Sequence, residues 1–206
     1  MTAIAAIMAR APVIPVLTVE RLADADPLAR ALVAGGLPVL EVTLRTPAAP
    51  EVIAAMRAVD GAIVGAGTVL TARDVDVALK AGAQFLVSPG LSSGVVDAAR
   101  AAGAPLLPGV ATASELMRGL DLGLAHFKFF PAEQAGGTAI LKAFAGPFAS
   151  ARFCPTGGIT QDSASGYLAL PNVLCVGGAW VAPTSLINAG AWDEIRALAA
   201  KAAALR

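Results

Sequence analysis

The stretch Val39-Leu40-Glu41-Val42-Thr43-Leu44-Arg45-Thr46-Pro47 decides the fold. Read as a strand, its first seven residues put Leu40, Val42 and Leu44 on one face and Glu41, Thr43 and Arg45 on the other. Thr46-Pro47 then offers an N-cap and a first-turn proline ahead of Val52, Ile53 and Met56, a helical apolar face. This is one strand-to-helix unit, and the unit recurs. Apolar runs begin near Val13, Val39, Ala62, Phe85, Leu106, Phe127, Arg152 and Val173, with successive starts 21 to 26 residues apart. That period accommodates a strand, a helix and two short loops. Strands alternating with helices pair in parallel, and eight units in a compact chain imply closure. The expected fold class is therefore α/β, a (β/α)8 TIM barrel forming a single domain over residues 1–206. Residues 1–11 supply an extra N-terminal helix, centred on 3–10 and covering the floor, and residues 12–206 supply the barrel. An open doubly wound sheet is the alternative architecture.

Other punctuation agrees with this count. Thr71 precedes Val75 and Leu79, and Gly82 follows as a stop. Thr112 and Glu115 form a capping box before Leu116 and Leu120, ended by Gly123. Ser92 or Ser93 opens a helix that closes at Gly103. Leu28 and Leu32 share a face stopped by Gly35-Gly36, although Pro27 blurs the start. The 206 residues suffice for one sizeable core and are few for a full barrel. At 56% hydrophobic and 15% charged, much of the chain is buried, some of it against further copies. A formal net charge of zero, with no basic cluster, excludes nucleic acid and anionic membrane as partners. The longest charge-free stretch, residues 163–192, is too broken by Gly and Pro to span a bilayer. The first nineteen residues lack a basic n-region and are interrupted by Arg10, Pro12 and Pro15, so no signal peptide is expected. Cys154 and Cys175 lie in apolar segments and read as small core residues of a reducing cytoplasm.

Polar residues in otherwise apolar barrel strands mark chemistry, and it sits at the strands' C-terminal ends. Glu41 and Arg45 face inward, which is costly unless they are paired or functional. In His126-Phe127-Lys128-Phe129-Phe130-Pro131, Lys128 alone of four lysines falls within a strand. Burial there lowers a lysine pKa, by up to about 3–5 units when complete, and a neutral amine is what attack on a carbonyl requires. The bland alternative is a structural Lys128–Glu41 pair plugging the barrel. The seventh and eighth strands end in Thr156-Gly157-Gly158 and Gly177-Gly178, where backbone N–H groups can approach an anion. Loops after these two strands are the recurrent phosphate site of this architecture. Tight turns also use such glycines. Thr68, Ser88-Pro89 and Pro108 complete the mouth. The single His126 has no companions that would make a metal site, and no dinucleotide or Walker fingerprint appears, so neither metal nor cofactor is expected.

In order, the segments Glu41-Val42-Thr43-Leu44-Arg45-Thr46, Gly65-Ala66-Gly67-Thr68-Val69, Ser88-Pro89-Gly90, Phe127-Lys128-Phe129-Phe130-Pro131-Ala132-Glu133 and Phe153-Cys154-Pro155-Thr156-Gly157-Gly158-Ile159 resemble one family. It is the bacterial 2-dehydro-3-deoxy-phosphogluconate (KDPG) aldolases, which often also act as 4-hydroxy-2-oxoglutarate (KHG) aldolases. The resemblance runs from about Pro12 to the C-terminus. It implies that Lys128 forms a Schiff base and that Glu41 transfers protons. It implies that Arg45 and Thr68 contact the keto-acid end, with Pro89 and Phe130 as apolar walls. Thr156 matches the residue that goes with the gluconate-derived substrate, and Gly157, Gly158 and Gly178 match a phosphate cradle. It further implies a metal-free cytoplasmic homotrimer of the Entner–Doudoroff pathway, acting on a phosphorylated keto-acid and releasing pyruvate. Ala179 stands where many relatives carry serine, which removes a hydroxyl near the expected phosphate and leaves the backbone N–H. The rival readings are an aldolase for an unphosphorylated or galactonate-derived 2-keto-acid and, further off, a non-imine phosphosugar enzyme or binding barrel.

Overall fold

Apolar residues on both faces suit strands covered on both sides, and that is what the computed structural model contains. It describes residues 2–205; Met1 and Arg206, the ends of the expected domain, lie outside the described residues. Helix α1 (Ala3–Met8) comes first. Then follow β1 (Val13–Leu17), α2 (Ala25–Ala34), β2 (Val39–Thr43), α3 (Ala49–Arg57), β3 (Ile63–Gly67), α4 (Ala72–Lys80), β4 (Leu86–Val87) and α5 (Ser93–Ala101). The second half runs β5 (Leu106–Leu107), β6 (Gly109–Val110), α6 (Ala113–Asp121), β7 (His126–Phe129), α7 (Gly137–Phe144), β8 (Arg152–Pro155), α8 (Gln161–Leu168), β9 (Val176–Gly178), α9 (Thr184–Ala189) and α10 (Trp192–Ala203). The fold is α/β with parallel strands. Six strands form a sheet in the order β5-β4-β3-β2-β1-β9, and three form a second sheet, β6-β7-β8. Two isolated parallel bridges, Phe153 to Val173 and Thr156 to Gly177, link β8 to the segment carrying β9. No helix among the described residues is long and apolar enough to cross a membrane.

Three local expectations are corrected. The apolar run at Leu106 is two short strands, because Pro108 has no N–H for the ladder; its carbonyl still accepts from Lys128 N–H at 2.9 Å. The last strand starts at Val176, and Val173 makes only a bridge. Thr46 does not cap the helix after β2. Its hydroxyl donates to the Val19 carbonyl at 2.7 Å, so α3 begins at Ala49 with Pro50, not Pro47, in the first turn. The capping boxes at Thr71–Asp74 and Thr112–Glu115 form as their sequences suggest, and Thr160–Ser163 adds a third.

The alternation of side chains sorts the core into two clusters. Leu40, Val42, Phe127 and Phe129 join the larger one, between strands and helices. The smaller one holds Val39, Phe85, Val87, Leu107, Cys154 and Cys175 from the opposite strand faces, with Ile4 and Met8 of α1 packed on them. Both cysteines are buried core residues, as their apolar settings suggest.

Candidate active site

Register brings the two unusual strand residues together. Glu41 in β2 lies opposite Val16 and Gly65, and Lys128 in β7 lies opposite Gly109 and Cys154. Their side chains meet across 87 residues of sequence, Lys128 Nζ donating to Glu41 Oε1 at 3.1 Å. Both are buried, 5% and 3% exposed. A Cβ on Gly67 would run into the Glu41 carboxylate, so the absence of a side chain there makes the approach possible. The Phe130 ring centre lies 5.4 Å from Nζ, within cation–π range. A buried ion pair contributes little net stability and costs about 3–5 kcal/mol when one partner is removed. Its presence here therefore favours chemistry over scaffolding.

Above this pair is a cavity of about 200 Å³. It is lined by Val16, Arg45, Lys128 and Phe130 and by residues 156–159 and 177–180. Arg45 Nε donates to Thr68 Oγ1 at 3.1 Å. Thr68 has φ 59°, in the left-handed region, a conformation that costs a β-branched residue about 1–3 kcal/mol. Such strain is concentrated at functional sites. Thr68 and Pro89 do not line the cavity; Thr68 reaches it through Arg45. The Ser88 hydroxyl donates to the Gly90 carbonyl at 2.8 Å and so serves its own turn. Thr43, inward like Glu41, is spent on the Leu17 carbonyl at 2.9 Å.

The Thr156-Gly157-Gly158 turn lines the cavity. The Thr156 carbonyl accepts from Ala132 N–H at 2.8 Å, and the Gly157 carbonyl accepts from Glu133 N–H at 3.1 Å. Each carbonyl is antiparallel to the N–H of its own planar peptide. The N–H groups of Gly157 and Gly158 therefore point away from residues 132–133. Among the described residues neither has a protein acceptor. Both glycines have positive φ, 105° and 76°, and successive amides in such a turn make an anion-binding concavity. Trp180 was not anticipated as a wall. Its ring lies so close over Gly178 that a Cβ there would overlap it, and its indole nitrogen is buried without a partner among the described residues. A larger cavity, about 280 Å³, lies near Ile4, Arg100 and His126, by the first residues of β5 and β7. It holds neither member of the lysine–carboxylate pair.

The model of the family "KDPG and KHG aldolase" matches residues 4–198. The chain belongs to the KDPG and KHG aldolase family. A 2-dehydro-3-deoxy-phosphogluconate aldolase from Zymomonas mobilis is 56% identical over 200 residues, covering 97% of this chain and 95% of that one. A crystal structure of the Zymomonas mobilis KDPG aldolase with 3-phosphoglycerate is 55% identical at TM-score 0.94, covering 99% of this chain and 96% of its own. A KDPG aldolase from Legionella pneumophila, with pyruvate captured as a covalent carbinolamine, is 46% identical at TM-score 0.96, covering 98% of this chain and 99% of its own. The aldolase family resemblance read from the sequence is correct.

Proposed function

We propose that the protein is a class I aldolase that cleaves 2-dehydro-3-deoxy-6-phosphogluconate to pyruvate and glyceraldehyde 3-phosphate, and that also acts on 4-hydroxy-2-oxoglutarate. The observation that carries this reading is the buried Lys128 amine 3.1 Å from the Glu41 carboxylate. Lys128 passes a proton to Glu41, and the free amine adds to the C2 ketone to give a carbinolamine. Glu41 returns the proton to the C2 hydroxyl, which leaves as water, and an iminium remains. The carboxylate next removes the C4 hydroxyl proton. The C3–C4 bond breaks, its electrons enter the enamine, and glyceraldehyde 3-phosphate departs. Glu41 protonates C3, and water hydrolyses the pyruvyl iminium. One carboxylate serves each step because each transfer resets it. The carbinolamine captured in the Legionella relative supports a covalent pyruvyl adduct.

Arg45, steadied by Thr68, orients the substrate carboxylate. The amides of Gly157, Gly158 and Gly178 take the phosphate, and this fixed far end places C4 against Glu41. Thr156 and Phe130 form the wall between. The 3-phosphoglycerate bound by the Zymomonas relative supports a phosphate site. The two sheets are read as one (β/α)8 barrel in a single domain, with α1 as the extra helix on its floor; the bridges between β8 and β9 support closure. The protein is read as a cytoplasmic homotrimer of the Entner–Doudoroff pathway, a reading supported by its membership of the family.

Treating the protein with pyruvate and borohydride tests the central claim. Peptide mapping should place a reduced pyruvyl group on Lys128. A Lys128→Ala variant with full turnover, or an adduct elsewhere, refutes it.

A further inference from the structure

Glu133 has no part in the steps above, yet it meets the Gly157–Gly158 turn at two points and is itself held by the helix that follows the turn. Its N–H donates to the Gly157 carbonyl at 3.1 Å. Its Cβ and Cγ fill the space that a side chain on residue 158 would need, 2.8 and 2.7 Å from that Cβ position. Its Oε1 accepts a 2.6 Å hydrogen bond from the Tyr167 hydroxyl. Tyr167 is 1% exposed and belongs to α8, the helix into which the turn leads. Gly137 leaves room for the pair, since a Cβ there would lie 3.3 Å from the Tyr167 hydroxyl. Burial first, and the Glu133 carboxylate second, push that hydroxyl above its ordinary value, so it remains a donor.

Two adjacent glycines cannot fix their own orientation, because glycine populates several backbone wells at similar cost. What fixes them must come from outside the turn. We infer that Glu133 is a positioning residue: clamped by Tyr167, it sets the direction in which the Gly157 and Gly158 N–H groups point and so tunes affinity for the phosphate end of the substrate. The inference rests on the phosphate cradle proposed above. Glu133 touches neither the reacting carbons nor Lys128, so its effect falls on binding of the phosphorylated substrate.

Tyr167→Phe removes one hydroxyl and keeps the ring. Losing a hydrogen bond to a charged group should raise KM for the phosphorylated keto-acid roughly tenfold or more, with kcat unchanged. The inhibition constant of inorganic phosphate should rise in parallel, and KM for 4-hydroxy-2-oxoglutarate should not move. Glu133→Ala should reproduce this. Glu133→Gln, whose amide oxygen still accepts from Tyr167, should restore it. Glu133 is exposed at the surface, so its variants carry the test if Tyr167→Phe folds poorly. Equal losses on both substrates, or unchanged phosphate inhibition in Tyr167→Phe and Glu133→Ala, overturn the clamp while the cradle stands. A wild-type enzyme indifferent to inorganic phosphate overturns the cradle and the clamp together.

Discussion

Gly67→Ala places one methyl group against the Glu41 carboxylate, to which proton transfer is assigned above, and alters nothing chemical. The new Cβ would sit 2.7 Å from Glu41 Cγ and 2.9 Å from Cδ, and would overlap Oε1. Ordinary carbon–carbon contact is about 3.5–4.0 Å, so the carboxylate must retreat by roughly an ångström. The Lys128 backbone is fixed in β7 between Gly109 and Cys154, so the amine can restore the 3.1 Å contact only by leaving its own side-chain rotamer. A displacement of about 1 Å at the reacting groups can cost on the order of 10²-fold in rate. Overpacking a tight site costs about 1–3 kcal/mol of stability, which lowers Tm by about 2–12 °C in a chain of this size. The expected variant is folded, binds pyruvate, is trapped on Lys128 by borohydride, and turns over about 10²-fold more slowly. Pyruvate release followed through lactate dehydrogenase gives kcat, and a thermal melt gives stability. A folded Gly67→Ala enzyme with wild-type kcat refutes the reasoning, because proton transfer would then not depend on where Glu41 stands.

Further outcomes follow from the same geometry. Glu41→Gln should lower kcat by about 10²–10⁴; an unchanged kcat removes Glu41 from the mechanism. Thr112→Ala breaks the box in which Thr112 and Glu115 satisfy each other's backbone; it should cost about 1 kcal/mol in a denaturant titration and leave kcat alone. Burial, and then the charge of Arg152, hold His126 below its ordinary value of 6.5. The unfolded chain therefore takes up this proton first as pH falls. The stability contributed by neutral His126 is present above 6.5 and is lost as pH drops through the folded value. Melts of His126→Gln should show a shallower loss between roughly pH 7 and pH 5 than the parent protein; parallel curves would contradict this.

The central pair was legible because Glu41 and Lys128 interrupt apolar strands, and alternation alone turned both inward. The two Gly-Gly pairs were legible as the ends of the last two strands, though only Gly157-Gly158 forms a turn, while Gly177-Gly178 stays within β9. Thr46 misled because its local capping signal lost to a tertiary bond with Val19. The left-handed backbone at Thr68 leaves no trace in the sequence, since a β-branched residue there runs against propensity. Tyr167 sits in a helix where an aromatic residue reads as ordinary core, and Glu133 reads as a solvated surface charge. Only the folding of α8 against the loop after β7 makes them partners. Trp180 belongs to the same class: no spacing rule says that an indole will lie on a glycine two residues earlier.

The smaller cluster has a consequence for how this protein can change. Val39 lies two residues before Glu41 on the same face of β2, and Cys154 is the neighbour of Lys128 across the ladder. The Lys128–Glu41 pair thus has no foundation of its own; it rests on the packing that keeps the strands together. Trimming Leu107 or Val87 would open a hollow in the cluster that also holds Val39 and Cys154, and so loosen the strands that carry the pair. Substitutions that leave turnover intact are then expected on the outward flanks of the helices, whereas a change of volume in the inner layer is felt at the site.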